Sequence, residues 1–401
     1  MRVEKNVPEI RFEGFSGEWK ISQLSELALF NPKEELPVTF KYVDLESVKG
    51  TSLLGYREEL KESAPSRAQR LAKKGDVFFQ TVRPYQKNNY LFNMEEIDFV
   101  FSTGYAQLRP YYDGNFLLNL IQRDSFVKDV LDNCTGTSYP AINASILASL
   151  EVISPEGKEE QTAIGNTFQI LDNLINQHQQ KHDKLSNIKK AMLDKMFPKQ
   201  GETIPEIRFK GFSAEWEEKK LGELAEIVRG ASPRPIEDPK WFDKSSTVGW
   251  LRIRDVTEQD GRIHFLEQRI SKLGQEKTRV LFEPHLLVSI AASVGKPVIN
   301  YVETGVHDGF LIFKKPLFEL EFMYQWLKSF QEAWQQYGQP GSQVNLNSDI
   351  VKGQVVRIPS NAEQLVIGNY FQKLDALINQ HQQQITKLNN IKQACLSKMF
   401  V

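Results

Sequence analysis

At 401 residues the chain is longer than one hydrophobic core normally organises, so two or more domains are expected. A net charge of −1 excludes a uniformly basic nucleic-acid coat but leaves room for local basic faces, and hydrophobic and aromatic contents of 40% and 11% are ample for folding. Two cysteines, Cys134 and Cys395, in no metal-ligand spacing, suit a reducing cytosol; the N-terminus has no apolar signal core and no run of about 18 apolar residues exists, so a soluble cytoplasmic protein of mixed structure is expected.

In chain order the first feature is Pro8–Trp19, PEIRFEGFSGEW. It returns as PEIRFKGFSAEW at Pro205–Trp216, with 10 of 12 residues identical at an offset of 197. Both copies lead into a short amphipathic helix, carrying Leu24, Leu27 and Ala28 in one case and Leu221, Leu224 and Ala225 in the other. Strand-like runs follow, Asp76–Gln80 and Phe99–Phe101 in the first half, Leu286–Ile290 and Phe310–Phe313 at comparable places in the second. A loose alignment sets Lys87 opposite Lys296, and Gly104-Tyr105 opposite Gly309-Phe310. Thr135–Asn143 and Pro340–Asn347 form a third echo, each closed by a proline, Pro155 or Pro359.

The strongest repeat comes last. Glu160–Phe197 and Glu363–Phe400 share 26 of 38 residues at an offset of 203. Each carries a four-three seam: Ile164, Phe168, Leu171, Ile175, His178, His182, Leu185, Lys189, Met192 and Met196, and Ile367, Phe371, Leu374, Ile378, His381, Ile385, Leu388, Lys392, Cys395 and Met399. Neither copy contains proline, so each predicts a strut of about 57 Å at 1.5 Å per residue. The two struts are expected to pair antiparallel, Leu171 opposite Leu388 and Leu185 opposite Leu374. His178 and His381 lie on the seam without metal-ligand partners and read as packing or register residues rather than ligands. Gly165 and Gly368 have two readings, a close approach by another backbone or a helix that begins slightly later.

The frame is duplicated and the interiors are not, which suits a protein that holds two different readers in one symmetric geometry. Polar, aromatic and basic residues interleave in the variable parts. The candidates for DNA contact are Thr81, Arg83, Tyr85, Gln86, Lys87, Asn88, Tyr105 and Ser138, with Thr137 and Tyr139 beside them. In the second half they are Arg252, Arg254, Ser293, Lys296, Gln343 and Asn345, with Arg229, Ser232 and Arg234. Arg and Lys neutralise phosphates or grip guanine edges, Asn and Gln fit adenine, and Ser and Thr serve either. Lys87 and Lys296 read as backbone contacts. Taken singly, each of these residues also fits an ordinary solvated turn.

Motifs of catalysis are missing. Gly295-Lys296 resembles the tail of a phosphate-binding loop, but Ile290 stands where its first glycine belongs and Pro297 follows. There is no G-x-G-x-x-G, no Asn-Pro-Pro-aromatic motif and no patterned carboxylate cluster. The chain reads as one that binds and positions. A stand-alone nuclease or methyltransferase with an unrecognised site, and a coiled-coil scaffold that does not touch DNA, remain as alternatives.

The paired PEIRF-x-GFS-x-EW starts, the Gly136-Thr-Ser-Tyr-Pro-Ala-Ile142 stretch and the two helices ending in Lys-Met-Phe resemble the specificity subunit of Type I restriction–modification systems. The resemblance covers essentially the whole chain. It departs where Gly341-Ser-Gln-Val344 replaces the Gly136–Pro140 sequence. It implies a mixed α/β fold: target-recognition domain 1 over 1–156, a central conserved helix and linker over 157–203, target-recognition domain 2 over 204–360, and a C-terminal conserved helix over 361–401. The helices would form an antiparallel coiled coil through Phe168, Leu171, Ile175, His178 and Leu185 with Phe371, Leu374, Ile378, His381 and Leu388. Each domain would read half of a bipartite site on double-stranded DNA, with the helices setting the spacer. Two modification subunits would supply adenine methylation from S-adenosylmethionine, and restriction subunits would supply ATP- and Mg-dependent translocation and cleavage. No cofactor or metal is expected in this chain, and no catalytic residue.

Overall fold

A computed structural model describes residues 6–199, 201–290, 294–337 and 346–401, with Gln335 described by its backbone alone. The chain forms two compact units, 1–179 with 382–401, and 180–381. Each therefore takes the start of one long helix and the end of the other.

The long helices are Lys158–Lys195 and Asn361–Lys398, 38 residues each. In the first unit Asp172 pairs with Lys392 at 2.5 Å, and Phe168 lies 5.8 Å from Phe400, ring to ring. In the second, Lys189 pairs with Asp375 and Phe197 lies 6.3 Å from Phe371. Rising numbers on one helix meet falling numbers on the other, so the pairing is antiparallel. Leu171 and Leu388 share one apolar cluster, and Leu185 packs on the cluster that contains Leu374. Burial is deepest toward the helix ends, where Ile164, Phe168, Ile367 and Phe371 are enclosed; Ile175, His178, Leu185, Ile378, His381 and Leu388 are half-buried.

The repeated motifs explain each other. Glu160, buried at a helix start, accepts a two-pronged contact from Arg11 (2.7 and 2.8 Å) and a bond from Trp19 Nε1 (3.2 Å). Glu363 accepts the same fork from Arg208, at 2.6 Å twice. A planar guanidinium on a buried carboxylate is a geometry lysine cannot reproduce. The next residue, Gln161 or Gln364, donates to the carbonyl of the preceding Pro155 or Pro359 at 2.8 Å. The terminal Phe of each Lys-Met-Phe fills an aromatic cup: Phe400 against Trp19, Phe116 and Phe168, and Phe197 against Trp216, Phe322 and Phe371.

Both units carry the same sheets despite their dissimilar interiors. One sheet runs Ala28–Phe30, Tyr105–Pro110, Val77–Gln80, Tyr90–Leu91; its counterpart runs Glu226–Arg229, Phe310–Lys314, Leu286–Ser289, Pro297–Asn300, with Arg262–Ile263 added at the edge. The other sheet pairs Thr39–Val43 with Phe99–Ser102 in parallel, adds Ala68–Leu71 antiparallel and carries Arg57–Leu60 at its edge; Gly249–Leu251, Thr304–Val306 and Arg279–Leu281 repeat the first three strands. Phe99–Ser102 thus corresponds to Thr304–Val306, not to the run at Phe310, which matches Tyr105–Pro110. Tyr105 faces Gln80 in register as Phe310 faces Ser289, so that part of the alignment holds. The expected short amphipathic helices are single turns, Leu24–Glu26 and Leu221–Leu224, with Leu24 and Leu221 enclosed.

This architecture makes a prediction for the half-chain from Met1 to about Thr203. It keeps the cup of Trp19, Phe116 and Phe168 but loses the Phe400 that fills it, and its own Phe197 loses its cup. The same Lys-Met-Phe sequence on a second copy fits the vacated cup, so the half-chain should self-associate. Sedimentation showing a monomer at every concentration would count against it.

Candidate DNA-recognition surfaces

In the first unit the central strand Val77–Gln80 delivers the chain to the segment 81–89. Asn89 Oδ1 accepts from Gln80 N at 2.8 Å and closes the base of this segment; Gln80 Nε2 donates to Val82 O and to Gln86 Oε1. At its tip is a single turn, Pro84–Gln86, flanked by Arg83 at φ 54° and Lys87 at φ 53°. Two non-glycine residues held left-handed around one turn are local strain, about 1–3 kcal/mol each, of the kind that collects at working surfaces.

Two further loops meet this turn. Thr135 and Ala141 exchange backbone bonds that close the Gly136–Pro140 tip, and Arg83 N donates to Pro140 O at 2.8 Å. The Arg83 guanidinium lies 4.5 Å over the Tyr139 ring. On the other side, the hairpin of Val48–Lys49 and Ser52–Leu53 is held by Gly50 N donating to Asn88 Oδ1 at 2.8 Å. The result is one exposed surface presenting Thr51, Tyr85, Gln86, Ser138 and Tyr139 around Arg83. Exposed aromatics beside a guanidinium and side-chain amides can stack on bases and donate to their edges.

The remaining candidates of this unit fall elsewhere. Tyr105 is wholly enclosed, its ring edge-on to Phe78 and Phe101; burial pushes its phenol far above the usual range. It belongs to the core, which corrects its assignment to base contact. Thr81 is nearly enclosed, its hydroxyl donating to Gly104 O at 2.8 Å. Lys87 turns from the tip into a cleft of about 560 Å³ lined also by Thr51, Gln122, Asp124 and Lys392, and its ammonium is paired with Asp124.

In the second unit Arg252 is forked onto Asp255, a nearly enclosed carboxylate, at 3.0 and 2.7 Å. The bonds to Asp255 raise the guanidinium above its ordinary value against the opposing effect of burial. Arg254 pairs with Glu258 one helical turn along, at 2.6 Å, and is largely exposed. Lys296 is half-buried and makes no ion pair among the described residues; in strand register it matches Asn88 rather than Lys87. Ser293, Gln343 and Asn345 lie outside the described residues.

Asp308 gathers a second group here. It accepts from Ser232 Oγ at 2.8 Å and from Arg234 at 2.7 Å, and its carbonyl accepts from Arg229 at 2.6 Å. Burial alone would raise Asp308, but Ser232 and Arg234 hold it below its ordinary value. Neither Asp308 nor the Val48–Leu53 hairpin was singled out by the sequence. A two-residue strand has no periodicity to read, and a lone acidic residue becomes a hub only when the fold brings bases to it. Among the described residues no group of His, Cys, Asp and Glu could hold a metal ion, and no helix is long and apolar enough to cross a membrane.

The profile of the Type I restriction modification DNA specificity domain matches residues 18–187 and again 213–390. The chain belongs to this family, with two copies of the domain, and is a DNA-recognition subunit. Among solved structures it resembles the Type-I restriction-modification system S subunit from M. genitalium, with a TM-score of 0.67, 15% identity, and coverage of 98% of this chain and 99% of that one. It also resembles a chain from a structural study of complex assembly and conformational transition of the type I R-M system, with a TM-score of 0.51, 21% identity, and coverage of 95% and 97%. At these identities the likeness concerns the fold. The mixed α/β architecture and the paired long helices are those of the family.

Proposed function

We propose that each unit reads one half of a bipartite site on double-stranded DNA, that the helices set the spacer, and that two copies of one modification subunit dock on the helices. One contrast carries this reading. Leu174, Gln177, Lys184, Asn187 and Ala191 are exposed, and so are their identical counterparts Leu377, Gln380, Lys387, Asn390 and Ala394. Duplication makes the copies alike at the start, and a partner taken twice would keep exposed residues alike in both. The loops around Arg83 and Asp308 are exposed too, and they differ, as two readers of different half-sites must. S-adenosylmethionine, and ATP with Mg where restriction subunits take part, belong to those partners, so this chain contributes recognition and no catalytic group. Such a complex works in the cytoplasm, where the DNA is.

Within the readers, Arg83, Tyr85, Gln86, Ser138 and Tyr139 are assigned to bases or their immediate backbone in the first unit, and Arg229, Arg234, Arg252 and Arg254 to the second. Asn88 supports the hairpin, and Lys87 is already paired with Asp124. Of the two lysines Lys296 is therefore the stronger phosphate contact. Lys296→Ala should weaken binding across sequences and lower the slope of log affinity against log salt by about one unit. A change in the methylated sequence would place Lys296 on a base instead.

The decisive experiment is methylome sequencing of a methylation-free host that expresses this chain with its modification partner. The expected outcome is adenine methylation at one asymmetric bipartite sequence with a fixed spacer, and none from either protein alone. Methylation by this chain alone would favour an enzyme. An assembled complex with no sequence preference would favour a scaffold.

A further inference from the structure

We propose that Gly165 and Gly368 are positioning residues, notches of bare helix backbone that set how each recognition domain is seated on its strut and thereby the spacer length that is accepted. This rests on the bipartite reading above. Gly165 is the eighth residue of Lys158–Lys195, and Gly368 the eighth of Asn361–Lys398, so neither is a helix end. What lies against them is the start of a domain helix, a capping carboxylate and a backbone nitrogen at Gly165 and chiefly backbone at Gly368. A Cβ on Gly165 would fall 2.0 Å from Asp113 Oδ1 and 2.9 Å from the backbone nitrogen of Phe116. One on Gly368 would fall 2.9 Å from the backbone nitrogen of Phe322 and 3.0 Å from Glu321 Cβ. The same atom of the same structural position meets both glycines: the first turn of the domain's own helix, Gly114–Gln122 or Leu320–Ser329.

In the first unit Asp113 caps this turn, its Oδ1 accepting from Phe116 N at 2.7 Å; Glu319, at the same place in the second, makes no side-chain cap. Phe116 and Phe322 are enclosed, 5.6 and 5.5 Å from the terminal rings of Phe400 and Phe197. The start of one strut, the end of the other and the domain's helix therefore meet at each notch. A methyl group inserted there has to move the domain helix outward as a body, because close-packed neighbours transmit the displacement rather than absorb it. The reading loop of the first unit is tied to that helix, Gln122 Nε2 donating to Lys87 O at 3.1 Å, and moves with it. The domain keeps its internal geometry, so its choice of bases stays and its place along the DNA shifts.

The test uses the full chain assembled with its modification partner, wild type beside Gly165→Ala and Gly368→Ala. Each complex is given duplexes that keep both half-sites and vary the spacer by single base pairs. The wild type must prefer one spacer; if it does not, the bipartite reading itself fails and the notch is not at issue. Given that preference, each variant should retain its half-site bases while its preference for the native spacer over a neighbouring length falls by about tenfold. Uniform loss of activity at every spacer with the preference intact would mark the glycines as packing residues and overturn the proposal. So would an unchanged profile, a change in half-site bases, or failure of both variants to fold, since a notch that only seats a domain leaves the helix pair intact.

Discussion

Asp375→Asn is expected to destabilise the second unit by about 3–5 kcal/mol, the usual cost of leaving a buried cation without its partner. Asp375 accepts from Lys189, from Arg262 at 2.8 Å and from Gln325 at 2.8 Å, and the Lys189 and Asp375 side chains are only 9% and 11% exposed. Arg262 keeps a second carboxylate, Glu321, whereas Lys189 has no other ion-pair partner among the described residues. The repeat-related pair in the first unit, Asp172 with Lys392, is open to solvent at 32% and 17%, so Asp172→Asn should cost about 1 kcal/mol or less. Five of the six tryptophans, Trp216, Trp241, Trp250, Trp326 and Trp334, lie in the second unit, so fluorescence during urea unfolding reports chiefly on it. The Asp375→Asn midpoint should fall well below that of Asp172→Asn, and adding Lys189→Met should recover much of the loss. Equal effects of the two single substitutions would refute the asymmetry.

The same carboxylate gives the acid side its slope. Burial pushes Asp375 up, but Lys189 and Arg262 outweigh it and hold the group below its ordinary value. A carboxylate depressed in the folded state contributes its stability above its unfolded pKa, about 3.9, and loses it as pH falls through the lower folded value. Wild-type midpoints should therefore decline below about pH 4 more steeply than those of Asp375→Asn. Parallel acid limbs would show that Asp375 does not titrate against the fold.

These two ion pairs also mark where sequence reading stopped. The duplication and the seams are properties of repetition and periodicity and survive in a single sequence; the antiparallel sense follows from the pseudo-two-fold relation that the duplication implies. Lys189 and Lys392 stood at seam positions without an account, because their partners, Asp375 and Asp172, are more than 180 residues away. The fork from Arg11 to Glu160 was hidden in the same way: both residues lay inside motifs, but nothing local says that the motifs touch. Gly165 could not be decided without knowing where the helix begins. Tyr105 was misread because every residue from Tyr105 to Leu108 is enclosed; a strand covered on both faces shows no alternation that would tell a core tyrosine from a surface one. The turns that carry Arg83, Tyr85, Gln86 and Ser138 were legible as turns because Pro84 and Gly136 lie within them.

Extending both long helices by four residues, after Gln179 in the first and after His381 in the second, should lengthen the unspecified spacer by one base pair and leave the half-site bases unchanged. The insertion points are the boundaries between the compact units, so the Asp172–Lys392 and Lys189–Asp375 pairs keep their partners. Extending only one helix would force one of those pairs out of register. Four residues form a stutter, which unwinds a seam locally rather than ending it. They add about 6 Å and, at 3.6 residues per turn, a net rotation of about 40°. One base pair adds about 3.4 Å, and at 10–10.5 base pairs per turn it rotates the duplex by about 35°. Length alone would allow one to two base pairs; rotation matches one, because a second would carry the half-site about 30° away from its reader. The measurement is the methylome of a host carrying the extended chain with its modification partner. A native spacer at undiminished activity would show that the helices do not measure the site. Altered half-site bases would show that base choice is not confined to the loops around Arg83 and Asp308.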